Sequence, residues 1–270
     1  WDALGKNENL PVHSLIGGLH EDRIPVYASN GYFAVHPSEQ LGDQLKQFRD
    51  LGYPGAKIKI GRGPEDDEKR VAIARAALGD DVLLMVDANG NYTSDMALES
   101  MNRIESYGIH FYEEPLAPTD LEGYGRLRLR SPMPIATGEA LYTAQDFKRL
   151  MDINGADLWQ PDLTLCGGLS VGREIFSLSK LAHVRMSPHV WGGAVGLAAA
   201  LHFAASLYPW PHSDNVPFPV LLEYDRGENA LRDELLRSPI KYIDGHLQVP
   251  NGPGLGIELN WDIIEKYRIN

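Results

Sequence analysis

The stretch VLLMVDANG at positions 82–90 is a short apolar run that ends in an acidic residue and an amide. Two more runs of this kind follow, HFYEEP at 110–115 and PIATGE at 134–139. The acidic residues of the three runs are 26 residues apart: Asp87, Glu113 and Glu139. One β-strand with its following helix has about this length, so the repeat predicts parallel strands joined by helices.

Eight apolar runs predict strands, at 24–29, 56–61, 82–90, 110–115, 134–139, 157–163, 184–189 and 220–225. Seven longer stretches between them predict helices, at 38–51, 65–78, 94–107, 120–130, 143–154, 168–182 and 193–207. This alternation favours an α/β fold whose parallel sheet closes into a TIM-type barrel over residues 24–225. An open doubly wound sheet is the alternative, but the Gly-rich phosphate turn of that fold does not follow the first run.

Composition and charge exclude several classes of protein. The 270 residues are 43% hydrophobic and 23% charged, which excludes a disordered or collagen-like chain. A net charge of −12 argues against binding to nucleic acid or to anionic membranes. No run approaches the ~18 apolar residues of a membrane span. Because Cys166 is the only cysteine, an intrachain disulfide is excluded, and we expect a reducing, cytoplasmic location.

The two ends of the chain depart from the strand–helix alternation. The chain opens at Trp1 in a segment that resembles the end of a helix stopped by Gly5, which predicts that it continues a longer protein. Residues 1–23 would then lead into the barrel. The last segment, 226–270, combines a two-strand pattern, a Pro/Gly turn and a short helix, and we expect it to form an appendage outside the barrel.

The three repeated acids are candidate metal ligands. Active-site residues of such a barrel lie at the C-terminal ends of the strands, and neighbouring strands run about 4.8 Å apart. Asp87, Glu113 and Glu139 at that spacing would repel each other strongly unless a cation lies between them. Hard oxygen ligands favour Mg²⁺, with Mn²⁺ as an alternative. The other interpretation is that each acid pairs with a nearby Lys or Arg.

Two lysines and a histidine are candidate bases. Lys57 and Lys59 are two residues apart on one strand, so both side chains face the same side. Facing outward, they would be ordinary solvated lysines. Inside the barrel and beside a cation, their pKa values are expected to fall, which suits a base near neutral pH. His189 and Asp162 end adjacent strands, so the carboxylate would orient the imidazole; a buried structural histidine is the alternative.

A cation with a lysine on one side and a His–Asp pair on the other suits the removal of a proton next to a carboxylate. Glu223, at the end of the last strand, could donate a hydrogen bond to that carboxylate if it keeps its proton.

Seven motifs in this order resemble the enolase superfamily, mandelate racemase subgroup. The motifs are KIK at 57–59, DAN at 87–89, EEP at 113–115, TGE at 137–139, QPD at 160–162, SPH at 187–189 and LEY at 222–224. The resemblance covers about residues 1–270 and implies a modified (β/α)7β barrel. It also implies an N-terminal α+β capping domain, of which only the end, residues 1–23, is expected in this chain. Residues 226–270 would pack on that domain.

The resemblance implies a role for each site residue. Mg²⁺ would be bound by Asp87, Glu113 and Glu139. Lys59 and His189 would be the two acid/base residues, with Asp162 orienting His189. Lys57 and Asn89 would contact the substrate, and Glu223 would be the electrophilic partner of the enediolate. The Pro-rich segment 208–220 could be a specificity loop over the barrel mouth or an ordinary surface loop.

Most members of the subgroup that carry this Lys/His pair are similar to acid-sugar dehydratases, which implies a sugar acid or related α-hydroxy carboxylate as substrate and a 2-keto-3-deoxy acid as product. A racemase, an epimerase or a sugar-lactone cycloisomerase would use the same residues. A non-catalytic barrel is the third hypothesis, although such a barrel has no physical need for so many buried charges. The resemblance further implies a homo-oligomer.

Overall fold

The fold is given by a computed structural model that describes residues 1–33, 39–207 and 220–269. The expected specificity loop, apart from residue 220, lies outside these described residues and stays a prediction. None of the described helices is long and apolar enough to cross a membrane.

Eight parallel strands form the barrel, as the alternation predicts. They are β1 (Arg23–Ser29), β2 (Gly55–Lys59), β3 (Leu83–Asp87), β4 (Ile109–Glu113), β5 (Ile135–Thr137), β6 (Leu158–Trp159), β7 (Arg185–Met186) and β8 (Leu222–Asp225). Their order is β7-β6-β5-β4-β3-β2-β1-β8, with every pair parallel. The two outer strands approach each other where Ser187 Oγ donates to Leu221 O at 2.5 Å.

The helices between the strands begin and end within a few residues of the predicted positions, and further helices precede β1 and follow β8. They are α1 (Asp2–Glu8), α2 (Val12–Ile16), α3 (Glu39–Asp50), α4 (Pro64–Leu78), α5 (Ser94–Ile104), α6 (Leu121–Arg128), α7 (Ala144–Asp152), α8 (Gly168–Ala182), α9 (Ala194–Ser206), α10 (Ala230–Asp233) and α11 (Trp261–Lys266). A 3₁₀ turn, Glu105–Tyr107, extends α5. Helix α7 begins at a capping box, in which Thr143 and Asp146 each accept from the other's backbone N–H.

The alternation of side chains along β2 separates the core from the site. Ala56 and Ile58 point outward and pack in the main core between the sheet and the helices. Lys57 and Lys59 point into the barrel, as their two-residue spacing predicts. Below them the barrel interior is filled by a small apolar cluster: Tyr27, Met85, Phe111, Ala136 and Leu158. The barrel is therefore closed beneath the strand ends, and its polar chemistry is confined to one end.

The first helix does not stop at Gly5, contrary to the sequence interpretation. Helix α1 continues to Glu8 and ends at Asn9, which adopts the left-handed conformation with φ 55°. Gly5 is buried inside the helix, and a larger residue does not fit there, because its Cβ would lie 2.7 Å from Leu10 O and 2.8 Å from Gly254 Cα. The glycine thus marks a close contact with the C-terminal segment rather than a helix end.

The C-terminal segment is joined to the barrel sheet. Strands β9 (Tyr242–Ile243) and β10 (His246–Gln248) form a hairpin, whose turn places Asp244 and Gly245 at φ 45° and 80°. β10 pairs antiparallel with the first residues of β1, next to the region that pairs with β8. The expected two-strand pattern is therefore present and extends the sheet. The division of the chain into domains at residue 225 stays a prediction.

A buried carboxyl group on α4 ties together the two loops that leave β2 and β3. Asp67 accepts hydrogen bonds from Gly61 N at 2.8 Å and from the hydroxyls of Tyr92 and Ser100 at 2.6 Å each. Tyr92 in turn accepts from Gly63 N at 2.8 Å. Residues on both loops therefore share one acceptor.

We expect Asp67→Ala to lower the free energy of unfolding by about 3 kcal/mol, because two buried hydroxyls and a partly buried backbone N–H lose their acceptor. Chemical denaturation measures this loss. The matched control is Asp66→Ala one residue earlier, where the side chain is exposed and the expected change stays within about 0.5 kcal/mol. Equal effects of the two substitutions would contradict the role assigned to Asp67.

Two buried histidines connect the N-terminal and C-terminal segments to α9. His13 and His202 stack with their ring centroids 5.3 Å apart, and His202 Nδ1 accepts from the backbone N–H of His13 at 3.2 Å. His202 Nε2 lies 3.1 Å from Leu255 O. Burial lowers the pKa of both rings, so both are held in the neutral form.

Acid is therefore expected to destabilise the protein through this pair. The pair's contribution to stability is complete above the ordinary histidine pKa of about 6.5 and is lost as the pH falls towards the lowered folded-state values. Denaturation curves at pH 7.5 and 5 should show a smaller pH-dependent loss in His202→Asn than in the wild type. The control is His246→Asn on the β10 hairpin, which should keep the wild-type dependence; an unchanged dependence in His202→Asn would refute the assignment.

Candidate metal and acid–base site

The structure brings all nine predicted site residues to the carboxyl ends of the strands. Those that belong to the strands themselves are Lys57, Lys59, Asp87, Glu113 and Glu223. Those in the loops directly after strands are Asn89, Glu139, Asp162 and His189. A barrel of parallel strands places these positions around one opening, so residues up to 166 positions apart in sequence meet there.

The three predicted metal ligands converge. Asp87, Glu113 and Glu139 each offer a carboxylate oxygen, and these oxygens all lie within 4.8 Å of one another. Asp87 and Glu113 are fully buried and are register partners on β3 and β4. Glu139 Oε2 is buried and accepts no hydrogen bond from the described residues. Three converging carboxylates, one of which has a buried oxygen that accepts no hydrogen bond from the described residues, form a set of hard oxygen donors that fits a divalent cation such as Mg²⁺.

The two lysines contact these carboxylates. Lys57 Nζ contacts Glu113, lies 2.8 Å from Glu223 Oε1 and is 3.7 Å from Asp87 Oδ2. Lys59 Nζ contacts Asp87. Three buried carboxylates thus surround two buried ammonium groups. The arrangement also fits the alternative interpretation, in which acids pair with lysines rather than with a metal.

Among the protein's own groups, the carboxylates act against the expected lowering of the two lysine pKa values. Burial opposes the charge of Lys57, but Glu113 and Glu223 hold its pKa well above its usual value. Burial and Lys57 likewise oppose the charge of Lys59, yet Asp87 raises its pKa. The lowering was expected from repulsion by a cation and between the two lysines. The carboxylates instead contact the ammonium groups directly, which raises the pKa values.

His189 and Asp162 form the predicted pair. His189 Nδ1 lies 2.8 Å from Asp162 Oδ2, which leaves Nε2 to face the site, 3.3 Å from Glu139 Oε2. Burial opposes the charge of the imidazole, but Glu223, Asp162 and Glu139 raise the pKa of His189 to about 9. The imidazole is therefore a cation near neutral pH and can donate a proton from Nε2.

Glu223 lies between the two halves of the site. Its carboxylate is 2.8 Å from Lys57 Nζ and 3.6 Å from His189 Nε2. Burial disfavours its charge, but these two cations lower the pKa of Glu223 to about 2. In this arrangement Glu223 is ionised, so the hydrogen bond expected from it to a substrate requires a proton supplied by a neighbour.

Asn89 lies at the mouth of the site. It adopts the left-handed conformation with φ 45°, its backbone N–H donates to Asp87 Oδ1 at 2.8 Å, and its side chain is exposed. This geometry orients Asp87 and leaves the amide accessible to a ligand.

Three polar residues of the site were not singled out from the sequence. Gln160 donates from Nε2 to Glu113 Oε2 at 2.6 Å, and Thr164 donates from its backbone and hydroxyl to Asp162 at 2.7 and 2.6 Å. Glu114 is buried at φ 38°, and burial together with Glu139 and Asp87 raises its pKa to about 8. Gln160 and Glu114 lie within the QPD and EEP motifs, and their position beside a strand end was the available signal.

Comparison with known proteins identifies the family. The enolase C-terminal domain-like family profile matches residues 40–263. The D-galactarolactone cycloisomerase of Agrobacterium fabrum is 37% identical over 272 residues, which cover all of this chain and 71% of the relative. The arabinonate dehydratase of Saccharolobus solfataricus is 34% identical over 271 residues, which cover 99% of this chain and 69% of the relative.

Two solved structures share the fold over the whole chain. The 3,6-anhydro-D-galactonate cycloisomerase from Zobellia galactanivorans has a TM-score of 0.91 at 38% identity, and this chain covers 73% of it. A racemase from Streptomyces coelicolor with bound magnesium has a TM-score of 0.85 at 28% identity, with 70% of that protein covered. These relatives are named as a dehydratase, cycloisomerases and a racemase, which are lyases and isomerases, and this chain belongs to the enolase C-terminal domain-like family of the enolase superfamily.

Proposed function

We propose that this barrel serves a Mg²⁺-dependent enzyme that removes the proton α to the carboxylate of a sugar acid and then expels the β-hydroxyl. The observation that carries the proposal is the placement of Lys59 and His189 on either side of the acidic triad. Lys59 contacts Asp87, and His189 Nε2 lies 3.3 Å from Glu139. Two groups that can move protons therefore flank one candidate metal site, as α-proton chemistry requires.

Asp87, Glu113 and Glu139 would hold the metal, since their oxygens converge and one oxygen of Glu139 has no hydrogen-bond partner among the described residues. A bound divalent cation supplies positive charge that offsets the charge developing on the substrate carboxylate. Lys57 and Asn89 would contact the substrate, Lys57 through its charge and Asn89 through its exposed amide.

The protonation of the two bases supports different roles. His189, with a pKa of about 9, carries a proton at neutral pH and suits the general acid. Lys59 must be neutral to accept the α-proton, and its contact with Asp87 favours the charged form. It becomes a base only when the charge of Asp87 is taken up by another partner.

The reaction balances with these residues. Lys59 takes the α-proton, and the electron pair of the C–H bond forms a carbon–carbon double bond. The β C–O bond breaks, and the hydroxyl leaves as water with the proton from His189. The remaining enol becomes a 2-keto-3-deoxy acid by tautomerisation. Asp162 keeps His189 oriented through its contact at Nδ1.

A cycloisomerase is the second candidate, because both the curated relative at 37% identity and the solved structure at 38% are named as cycloisomerases. Lys59 and His189 would perform the same first step, but the oxygen that leaves would belong to the substrate's own ring. No water would be released, so substrate and product would have the same mass. Racemisation or epimerisation would instead return the proton to the α-carbon.

Several further expectations stay predictions. They are a homo-oligomeric state, a cytoplasmic location, and the packing of residues 226–270 on a capping domain. A non-catalytic barrel remains the third hypothesis, and loss of proton exchange on substitution of the bases would argue against it.

Substitution of the two bases tests the division of roles. Lys59→Met is expected to lower α-proton exchange with D₂O by about 10²–10⁴-fold, because the base is lost. His189→Asn should retain part of the exchange but lose elimination. NMR of a panel of sugar acids and lactones with Mg²⁺ measures both steps. Lys69→Met, at an exposed position on α4, is the matched control. Exchange at the wild-type rate in Lys59→Met would defeat the proposal.

Metal titration tests the acidic triad independently of turnover. A ligand that binds only the folded state stabilises it by about 2.7 kcal/mol at 100 times its Kd. Thermal unfolding should therefore shift upward with Mg²⁺ and return on chelation. Glu139→Gln should require more Mg²⁺ for the same shift, whereas Glu122→Gln on the exposed face of α6 should behave as the wild type. A Tm that does not respond to Mg²⁺ would count against a metal at this site.

A further inference from the structure

Two aromatic side chains stand beside Lys59 at the mouth of the barrel. Tyr32 belongs to the loop after β1, and Trp191 follows His189 by two residues. Their rings pack edge to face, with centroids 5.6 Å apart and an interplanar angle of 72°. Lys59 Nζ lies 5.6 Å from the centroid of Tyr32 and 5.8 Å from that of Trp191. This pair, here called the aromatic wall, therefore contacts Lys59, one of the two proposed acid/base residues, and its Trp191 lies on the loop that carries the other.

The backbone on the Tyr32 side of the wall is held to the strand that carries Lys59. Arg70 donates from Nε to Lys59 O at 2.9 Å and from its terminal nitrogen to Gly31 O at 2.6 Å. Gly31 has φ 67°, and a Cβ there would lie 2.8 Å from Ile58 Cγ2, so the loop packs directly on β2. Arg70 therefore positions both the backbone beside Tyr32 and the strand end that carries Lys59.

The backbone on the Trp191 side is tied to β8 and the segment after it. Val190 N donates to Glu223 Oε2 at 3.1 Å, and Asn229 Nδ2 donates to Gly192 O at 3.0 Å. Both rings therefore sit on a fixed backbone, although about half of Tyr32 (49%) is exposed to solvent. Pre-positioned aromatic rings that remain accessible are suited to ligand contact, because little ordering is required on binding.

The cation–π contact with Lys59 involves only the side of the aromatic wall that faces Lys59. Two rings set edge to face also present an apolar corner beside an otherwise charged site. The chemical feature that fits such a corner is a compact group with C–H bonds on one side and polar atoms on the other. A sugar ring has that shape. An open-chain sugar acid has freely rotating C–C bonds and loses more conformational freedom on binding.

We propose that Tyr32 and Trp191 select a cyclic sugar acid, such as a lactone, over the open-chain acid with the same carbon skeleton. The inference rests on the proposed function, since it places the substrate in the same site, and it favours the ring-opening form of that chemistry. The C–H face of the ring contacts the aromatic wall while the free carboxylate lies towards Lys57. Tyr32 and Trp191 are specificity residues in this arrangement, and the proton transfers belong to Lys59 and His189.

The test compares D-galactarolactone with D-galactarate, which differ in ring closure. Dissociation constants are measured calorimetrically with Mg²⁺ in the His189→Asn background, which keeps the ligands intact. We expect the lactone to bind more tightly. Trp191→Leu should weaken lactone binding about three- to tenfold, the usual worth of an aromatic contact, and change galactarate binding less than twofold. Tyr32→Leu should act in the same direction, and Trp191→Phe should retain most of the preference.

Trp261→Leu is the matched control, because this tryptophan is exposed on the C-terminal helix α11. Tighter binding of galactarate, equal binding, absence of lactone binding, or equal weakening of both ligands by Trp191→Leu would overturn the inference. α-Proton exchange is followed in parallel in protein that keeps His189. A Trp191-dependent lactone preference without exchange would support the wall and reject the proposed chemistry. Exchange without that preference would do the reverse.

Discussion

The structure depends on the neutralisation of buried charge at one end of the barrel. Asp87, Glu113 and Glu223 are wholly buried there, and Lys57 is buried among them. Buried charges cost several kcal/mol each unless they are paired, so this end is stable only because each carboxylate contacts a cation. The apolar cluster beneath them gives no such compensation. The same contacts that allow the charges to be buried hold Lys59 in its protonated form, and they link the stability of the site to its chemistry.

Much of the fold could be predicted because barrel formation leaves a periodic trace in the sequence. The strands alternate with amphipathic helices, and the polar residue at each strand end recurs at the interval of one strand–helix unit. That interval predicts that Asp87, Glu113 and Glu139 lie together, and the structure brings their oxygens within 4.8 Å of one another. The two-residue spacing of Lys57 and Lys59 likewise predicted a shared face.

What could not be predicted depends on contacts between residues distant in sequence. The sequence around Gly5 resembles the end of a helix. A glycine is required there because Gly254, about 250 residues away in the sequence, packs against it. The lysine pKa values depend on which charge each ammonium group touches, and spacing does not specify a contact. Gln160 could not be predicted as a site residue, because its role depends on the hydrogen bond to Glu113 Oε2, and the sequence does not specify that contact.

If Lys59 is the base, as we propose, another cation must replace it beside Asp87 before it can lose its proton. Lys59 stabilises Asp87 only in its protonated, charged form. A base that accepts a proton must be neutral, so Lys59 cannot do both at once. If another cation takes over Asp87, the carboxylate stays stable and the reason for protonating Lys59 is removed. His189 differs from Lys59, because a general acid must carry its proton, and the contacts of His189 with Asp162 at Nδ1 and with Glu139 at Nε2 favour that charged form. Under the proposed function, the contacts of His189 therefore favour its role as the acid, whereas those of Lys59 must change before it can act as the base.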